Sequence, residues 1–558
     1  MSAFREKYLK YEELTRVVQD WARAHPDFVR VKSIGKSAEG RELWLLEIGR
    51  DPERRRAAAW VDGNMHAVEL CGSSVALAIA EDVIALHRGD DRHQLPEHVR
   101  ERLKGILFYV LPRMSPDGAE AVLRDGRWVR SNPRDRRPHP PVARWVSGDV
   151  DGDGRVLSLR SQDPSGEYVE DPDLPGVMLP RRLEDAGPYY KLWPEGTIEN
   201  YDGEHVPDPH FLSDNDIDLN RNFPYAWRPE PEQAGAGPYG ASEPESRAVI
   251  DWAIAHPNIF SWLNLHTFGG VYIRPLGDAP DKKMNQEDLA IYRQIEEWGE
   301  KLGGYPMVSG FEEFIYEPEK PIHGDITDFI YYTRGGIAYA CELWDLFARL
   351  GIERRKPFVE HYSRLTRDNL LALAKFDREK NSGRIFRGWK RFRHAQLGEV
   401  EIGGTVSTVG LNNPPYELLA EICQRQAAMY LRVAAMAPAL EMQARYANGR
   451  IEVDVANAGY LPTCVLDSAK KLALDARVFV EVEPLAGCTI DPRDARTEVG
   501  HLEGWGRGLY NEYIFYQRSR GSVSRRSVSI PVQGRGKVRV RVKGLRVGEI
   551  VQEITVGV

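Results

Sequence analysis

Cysteine is scarce. Cys71, Cys341, Cys423, Cys464 and Cys488 are scattered over 558 residues, and no two form a CxxC pair. That argues against a disulfide framework or a cysteine-rich zinc site, and the five read as small buried hydrophobes. Long hydrophobic runs are missing: no stretch of 18 apolar residues occurs, so no transmembrane helix is expected. The opening Met-Ser-Ala-Phe-Arg-Glu-Lys lacks the apolar centre of a secretory leader. This predicts a cytoplasmic chain, or a secreted one if a leader has been removed. Basic excess is missing too. Lys+Arg 75 against Asp+Glu 83 leaves a net charge of −8, which argues against a nucleic-acid partner. There is no internal repeat and no low-complexity tract. What is present is 42% hydrophobic and 10% aromatic residues, enough for large cores and too much for a mainly disordered chain. The length allows about three to four domains.

The first part reads as α/β. Residues 11–24 have helical spacing, with Leu14, Val17, Val18 and Trp21 on one side. Strands are expected at 28–34, 43–48, 57–61, 105–111, 259–265 and 336–341, and helices at 73–86, 244–255, 288–302 and 358–376. Buried strands alternating with helices predict a mixed sheet covered on both faces, a three-layer α/β/α domain. Between 133 and 216 the chain turns rich in Pro, Gly, Asp and Arg, too long for an ordinary loop. After 438 it becomes all-β, with strands expected at 450–455, 476–482, 512–517, 527–532 and 537–542. The division predicted is an α/β domain at 1–385 with an insertion at about 133–216, a linker with a helix (416–437) at 386–437, and a β-sandwich at 438–558.

Several residues carry chemistry. His66-Ala67-Val68-Glu69 follows a short apolar strand and puts imidazole and carboxylate three residues apart on one side. Zinc accepts both donors, and open α/β sheets place sites beyond the carboxyl ends of strands. His266 closes the strand before it, and Glu342 closes another. A carboxylate after a buried strand needs a partner or a task. Asp218-Leu219-Asn220-Arg221-Asn222-Phe223 gathers polar groups around one apolar step.

In this order the motifs resemble the zinc carboxypeptidases of the funnelin type, the M14 peptidases. The resemblance rests on His66-x-x-Glu69, Ser115-Pro116-Asp117-Gly118, Arg130-Ser131-Asn132, Asp218-Leu219-Asn220-Arg221-Asn222, Ser242-Glu243-Pro244-Glu245, Leu265-His266-Thr267, Tyr316 and Glu342, and spans about residues 10–375. It implies that His66, Glu69 and His266 hold Zn²⁺, and that Glu342 is the general base. It further implies that Arg130 stabilises the oxyanion, with Arg127 and Arg134 as alternatives in register. Asn220 and Arg221 would grip a terminal carboxylate. Tyr316 would close over the peptide, with Tyr331 and Tyr332 nearby, and Asp218 would orient His66. The specificity pocket would lie near Thr327, implying a neutral pocket, or Asp328, implying basic side chains. The partner implied is a peptide or protein C-terminus, with no nucleic acid and no membrane; oligomeric state is unknown. Two other functions fit the motifs: a zinc-dependent deacylase or cell-wall peptide hydrolase, and a non-catalytic binding or scaffold protein.

Two segments stand apart. Asp149, Asp151 and Asp153 have the odd-position spacing of a calcium loop, but Arg160 occupies the twelfth position where an EF-hand needs Glu. This is either a Ca²⁺ turn completed by Asp171 or Asp173, or a solvated acidic turn. Ten Lys or Arg between 518 and 546 alternate with Val and Ser. That pattern reads as a solvated sheet face rather than a site for an anionic partner.

Overall fold

The computed structural model describes residues 2–134, 141–209, 217–317, 320–362, 365–508 and 519–557. Its centre is an eight-stranded mixed sheet: β1 (Val29–Lys36), β2 (Glu42–Ile48), β3 (Ala58–Gly63), β4 (Leu107–Leu111), β5 (Ile259–Thr267), β6 (Val271–Arg274), β7 (Met307–Ser309) and β8 (Ile337–Leu343), in the order β1-β2-β4-β3-β5-β8-β6-β7. The four middle strands β4, β3, β5 and β8 are parallel. All nine residues of β5 are buried, as a strand covered on both faces requires.

Alternate residues feed two cores. Ala59 and Val61 face helices Tyr11–Ala24, Cys71–His87, Gln286–Trp298 and Tyr416–Ala434. Ala58 and Trp60 face helix Pro244–Ala255. The result is the three-layer α/β/α arrangement expected from the sequence. Helix Cys71–His87 is sealed by Tyr416–Ala434, so the latter is part of this domain's core rather than of a linker. Where β3 meets Cys71–His87, a Cβ on Gly63 would collide with the backbone of Gly72. Only glycine permits that approach, and the turn carrying His66 and Glu69 lies between the two.

The segment expected to link the domains is different in another respect. Residues Phe386–His394 and Gly398–Thr405 are strands, and the second pairs with Ser158–Gln162 of the insertion. They complete a six-stranded antiparallel sheet with Tyr190–Pro194, Tyr168–Glu170 and Met178–Pro180. Its small core joins Leu159 to Val400 and Ile402. Arg160 fastens the two parts. It is 4% exposed, reaches Glu170 and Glu401 at 2.8 Å each, and lies between the rings of Tyr190 and Trp389. The expected helix over 358–376 is also divided: a short turn covers Phe358–His361, and a new helix starts at Arg367, capped by Thr366.

The C-terminal part is a sandwich of a three-stranded and a four-stranded antiparallel sheet. Ile451, Val453 and Val455 of one sheet share a core with Val478, Val480, Val538, Val540 and Val542 of the other. The basic residues between those valines point outward into cross-strand ion pairs, Arg539 and Arg541 with Glu483 and Lys543 with Glu481. The strand expected at 512–517 lies outside the described residues. Among the described residues, no helix is long and apolar enough to cross a membrane.

Candidate metal centre and active site

The carboxyl ends of β3, β5 and β8 are neighbours in the sheet, and the candidate residues follow them. His266 and Glu342 are register partners on adjacent parallel strands. His66 and Glu69 lie in the turn after β3, whose backbone is tied to the segment of Arg130 by Ala67 N to Arg130 O (2.5 Å) and Val68 N to Val129 O (3.1 Å). Asn64, at φ 57°, shapes that turn and donates through Nδ2 to the carbonyls of His66 and Ala67.

His66, Glu69 and His266 are buried and present one ligand atom each within 4.8 Å of one another. His66 Nδ1 is 2.9 Å from Glu69 Oε1, His266 Nδ1 is 3.0 Å from Glu69 Oε2, and the two Nδ1 atoms are 3.0 Å apart. Each imidazole turns its Nε2 to an outer oxygen: His66 to Asp218 Oδ1 at 3.0 Å, His266 to Asn264 Oδ1. The ring protons belong on those nitrogens, which leaves both Nδ1 lone pairs facing the Glu69 carboxylate. Such a set repels itself unless a cation lies among it, and two imidazoles with one carboxylate suit Zn²⁺. The residues fit the metal.

Asp218 holds two groups at once, His66 through Oδ1 and Arg130 Nε through Oδ2 at 3.1 Å. Arg130 also reaches Glu69 Oε1 at 3.3 Å. Arg134, an alternative in the sequence, instead pairs with Glu39. Burial raises the Asp218 carboxyl, but Arg130 and then His66 outweigh it and hold it well below the usual range. Burial likewise opposes ionisation of Glu69, and the two histidines more than compensate. Glu342 is held well above the usual carboxylate range, first by burial and then by Glu69, against the pull of Arg130.

Asn220 and Arg221 follow Asp218 in a single 3₁₀ turn that the Asp218 side chain caps at Asn220 N. Asn220 Oδ1 accepts from Ile326 N at 3.0 Å. Asn222 is a fully buried brace, bonded to Ala236, Tyr239, Ser242, Glu243 and Ser246. Tyr316 is 63% exposed, with its ring packed edge-on against Phe314. Its sequence neighbours are committed elsewhere, Tyr331 to Asp288 and Tyr332 stacked on Tyr225.

Two residues escaped the sequence reading. Asn264 holds His266, and Asp62 holds Asn264. The Asp62 carboxylate is fully buried and also accepts from the indoles of Trp60 and Trp262, each at 2.8 Å. Burial pushes its pKa up to about 6, against those three donors. The available signal was a pair of polar residues inside apolar strands, with Asn264 on the same face as His266.

Asp149, Asp151 and Asp153 lie within 4.8 Å of one another at the surface. Their loop is closed by buried Glu195, which accepts from Val150 N and Leu157 N. Asp171 and Asp173 are in a separate turn ending at Val177, and Arg160 is the clamp described above. Nothing in this arrangement supports calcium.

A family model described as zinc carboxypeptidase matches residues 14–167 and 189–348, more than half of the chain. A domain of unknown function (DUF8731) matches residues 444–555. Carboxypeptidase A6 of Mus musculus is 27% identical over 133 residues, 24% of this chain and 29% of that protein. The catalytic chain of carboxypeptidase N of Mus musculus is 28% identical over 311 residues, 52% of this chain and 53% of the relative. The chain thus spans between under a third and about half of these curated relatives. The solved structure of thrombin activatable fibrinolysis inhibitor is 20% identical, covers 67% of this chain and 77% of that one, and has a TM-score of 0.40. With the family model running through the strands and turns that carry His66, Glu69, His266 and Glu342, the chain belongs to the zinc carboxypeptidase family.

Proposed function

We propose that the protein is a metallocarboxypeptidase that hydrolyses the last peptide bond of peptides or proteins. The observation that carries the reading is the convergence of His66, Glu69 and His266 on one point, with Glu342 beside His266 in register. Zinc held by those three residues supplies a Lewis acid for the scissile carbonyl and acidifies water.

The chain's own residues do the rest. Glu342, in register beside His266, takes the proton of the attacking water and passes it to the leaving amine nitrogen. Arg130, aimed by Asp218 and Glu69, donates to the oxygen on which negative charge develops. Asn220 and Arg221 bind the substrate's terminal carboxylate, which restricts cleavage to the chain end. Tyr316 covers the bound residue and limits water access. Asp218 keeps His66 in its ligating tautomer.

The test is mass spectrometry of a mixed peptide pool after incubation with zinc-loaded and chelator-treated protein. Removal of single C-terminal residues by the zinc form alone is the expected result. Tight zinc binding with no trimming would replace this reading with a deacylase or cell-wall substrate. Failure to bind zinc would leave a scaffold.

A further inference from the structure

One helix touches Asn220 at its start and is held by the C-terminal sandwich at its end. The helical turns Ile326–Phe329 and Ile330–Arg334 follow one another without a gap. At their start, Ile326 N donates to Asn220 Oδ1 at 3.0 Å. With that oxygen engaged, the Nδ2 group is the end of Asn220 that remains to donate to a carboxylate. Just before the helix, Gly324 O accepts from Phe223 N at 2.9 Å, and a Cβ on Gly324 would collide with the backbone of Arg221. The place of the Asn220–Arg221 turn is therefore tied to where this helix begins.

The far end of the helix is fixed by a distant part of the chain. Arg546 lies in the turn between the sandwich strands Gln533–Gly544 and Gly548–Val556. It is 2% exposed, and its guanidinium donates through Nη1 to Gly335 O at 2.8 Å and through Nη2 to Arg334 O. A helix C-terminus leaves such carbonyls unpaired, and a cation there meets the negative end of the peptide dipoles. A guanidinium taken out of water is costly to bury, and these two bonds offset that cost.

The contact is close and has a second tie. Gly335 has φ 60°, and a Cβ there would stand 2.5 Å from the Ala469 side chain. Midway along the helix, Tyr331 donates to Asp288 Oδ2 at 2.9 Å, and Asp288 Oδ1 accepts from Asp467 N at 2.7 Å. Asp467 and Ala469 connect two strands of the same sandwich, Arg450–Asn457 and Val478–Thr489. A helix anchored at one end and bonded to a binding residue at the other passes position along as a rigid element.

We propose that Arg546 is a positioning residue for the substrate's terminal carboxylate: by holding the end of this helix it fixes Ile326 N, and Ile326 N fixes Asn220. The β-sandwich is then a working part of the grip rather than an appendage. This role rests on the carboxypeptidase reading, in which Asn220 binds that carboxylate.

The experiment measures kcat and KM of the zinc-loaded full chain on acylated dipeptides ending in Leu, Phe, Lys, Arg and Glu, using whichever is released fastest. The variants are Arg546→Met, which keeps much of the side chain's length without its donors, Arg546→Lys, Asn220→Ala and the double variant Arg546→Met with Asn220→Ala. Circular dichroism and bound zinc check the fold. KM is expected to rise about tenfold in Arg546→Met with kcat and bound zinc unchanged, and less in Arg546→Lys. In the Asn220→Ala background Arg546→Met is expected to add nothing to KM, because the two residues act in series. An undiminished effect of Arg546→Met in that background would overturn the proposal, as would a joint loss of kcat and zinc, which marks a merely structural role. If Arg546→Met does not fold, Arg546→Lys carries the same comparisons. No release of any residue by the wild type would instead sink the carboxypeptidase reading. The link itself is read without substrate, by hydrogen exchange of the Ile326 amide, which should quicken about tenfold in Arg546→Met; unchanged exchange would overturn the link.

Discussion

Asp62 stands behind His266 without touching it: its carboxylate accepts from Asn264, and Asn264 accepts from His266 Nε2. The chain continues outward to two stacked indoles, Trp60 and Trp262, with ring centroids 4.2 Å apart. One face of the sheet thereby fixes the tautomer of a ligand at the carboxyl end of a central strand. Replacing Asn264 by Leu should weaken zinc binding about 10- to 100-fold, the usual effect of losing an outer partner of a metal-binding imidazole. Competition with a chromogenic chelator measures it. Asp62→Ala should in addition destabilise the domain by about 3 kcal/mol, because three buried donors lose their acceptor; urea unfolding of the metal-free protein reads that part separately.

Glu342→Gln keeps the shape of the side chain and removes its basicity. The expected result is a fall in kcat of about 100- to 10,000-fold with one zinc still bound. Retained turnover would transfer the proton-accepting role to another group.

Glu245 predicts a pH dependence of stability remote from the metal. It is 2% exposed, accepts from Ala38 N, and burial pushes its pKa up to about 7 from an ordinary value of 4.5, with Asp117 and Glu243 adding to the rise. The folded protein therefore binds more protons than the unfolded chain between those values. This group's stabilising contribution is fully present below pH 4.5 and is lost as pH rises through about 7. The loss amounts to about 3 kcal/mol. Glu245→Gln should flatten the stability profile between pH 5 and 7.5, measured by denaturant unfolding at each pH.

Arg160 joins the insertion to the strand pair at 386–405. Arg160→Leu leaves Glu170 and Glu401 without their buried partner and removes the cation between Tyr190 and Trp389. A loss of about 3 kcal/mol is expected. Protease cleavage within the insertion should accelerate while the central sheet stays intact, which limited proteolysis followed by mass spectrometry will show.

Much of the centre was legible in the sequence because its strands are continuous apolar runs and its ligands stand at strand ends. Helices Tyr11–Ala24 and Pro244–Ala255 fall where the periodicity placed them. Residues 386–405 were misread because Phe-Arg-Gly-Trp-Lys-Arg-Phe-Arg-His carries too much charge to look like a strand, and its sheet is completed by residues more than 200 positions earlier. The helix at 358–376 was merged across a boundary that Thr366 and Asn369 mark with reciprocal capping bonds. Asp62 falls just beyond the apolar strand expected at 57–61 and carries no motif of its own. Its role depends on two tryptophans and an asparagine that only strand pairing brings to it.

By itself the sequence determined local matters: which segments bury a face, where strands end, and the ordered motifs that place the chain in its family. Tertiary structure decided which ends meet. His66 and His266 are 200 residues apart in sequence and 3.0 Å apart in space. That meeting depends on β3, β5 and β8 becoming neighbours in a parallel register, which arises from packing between distant segments.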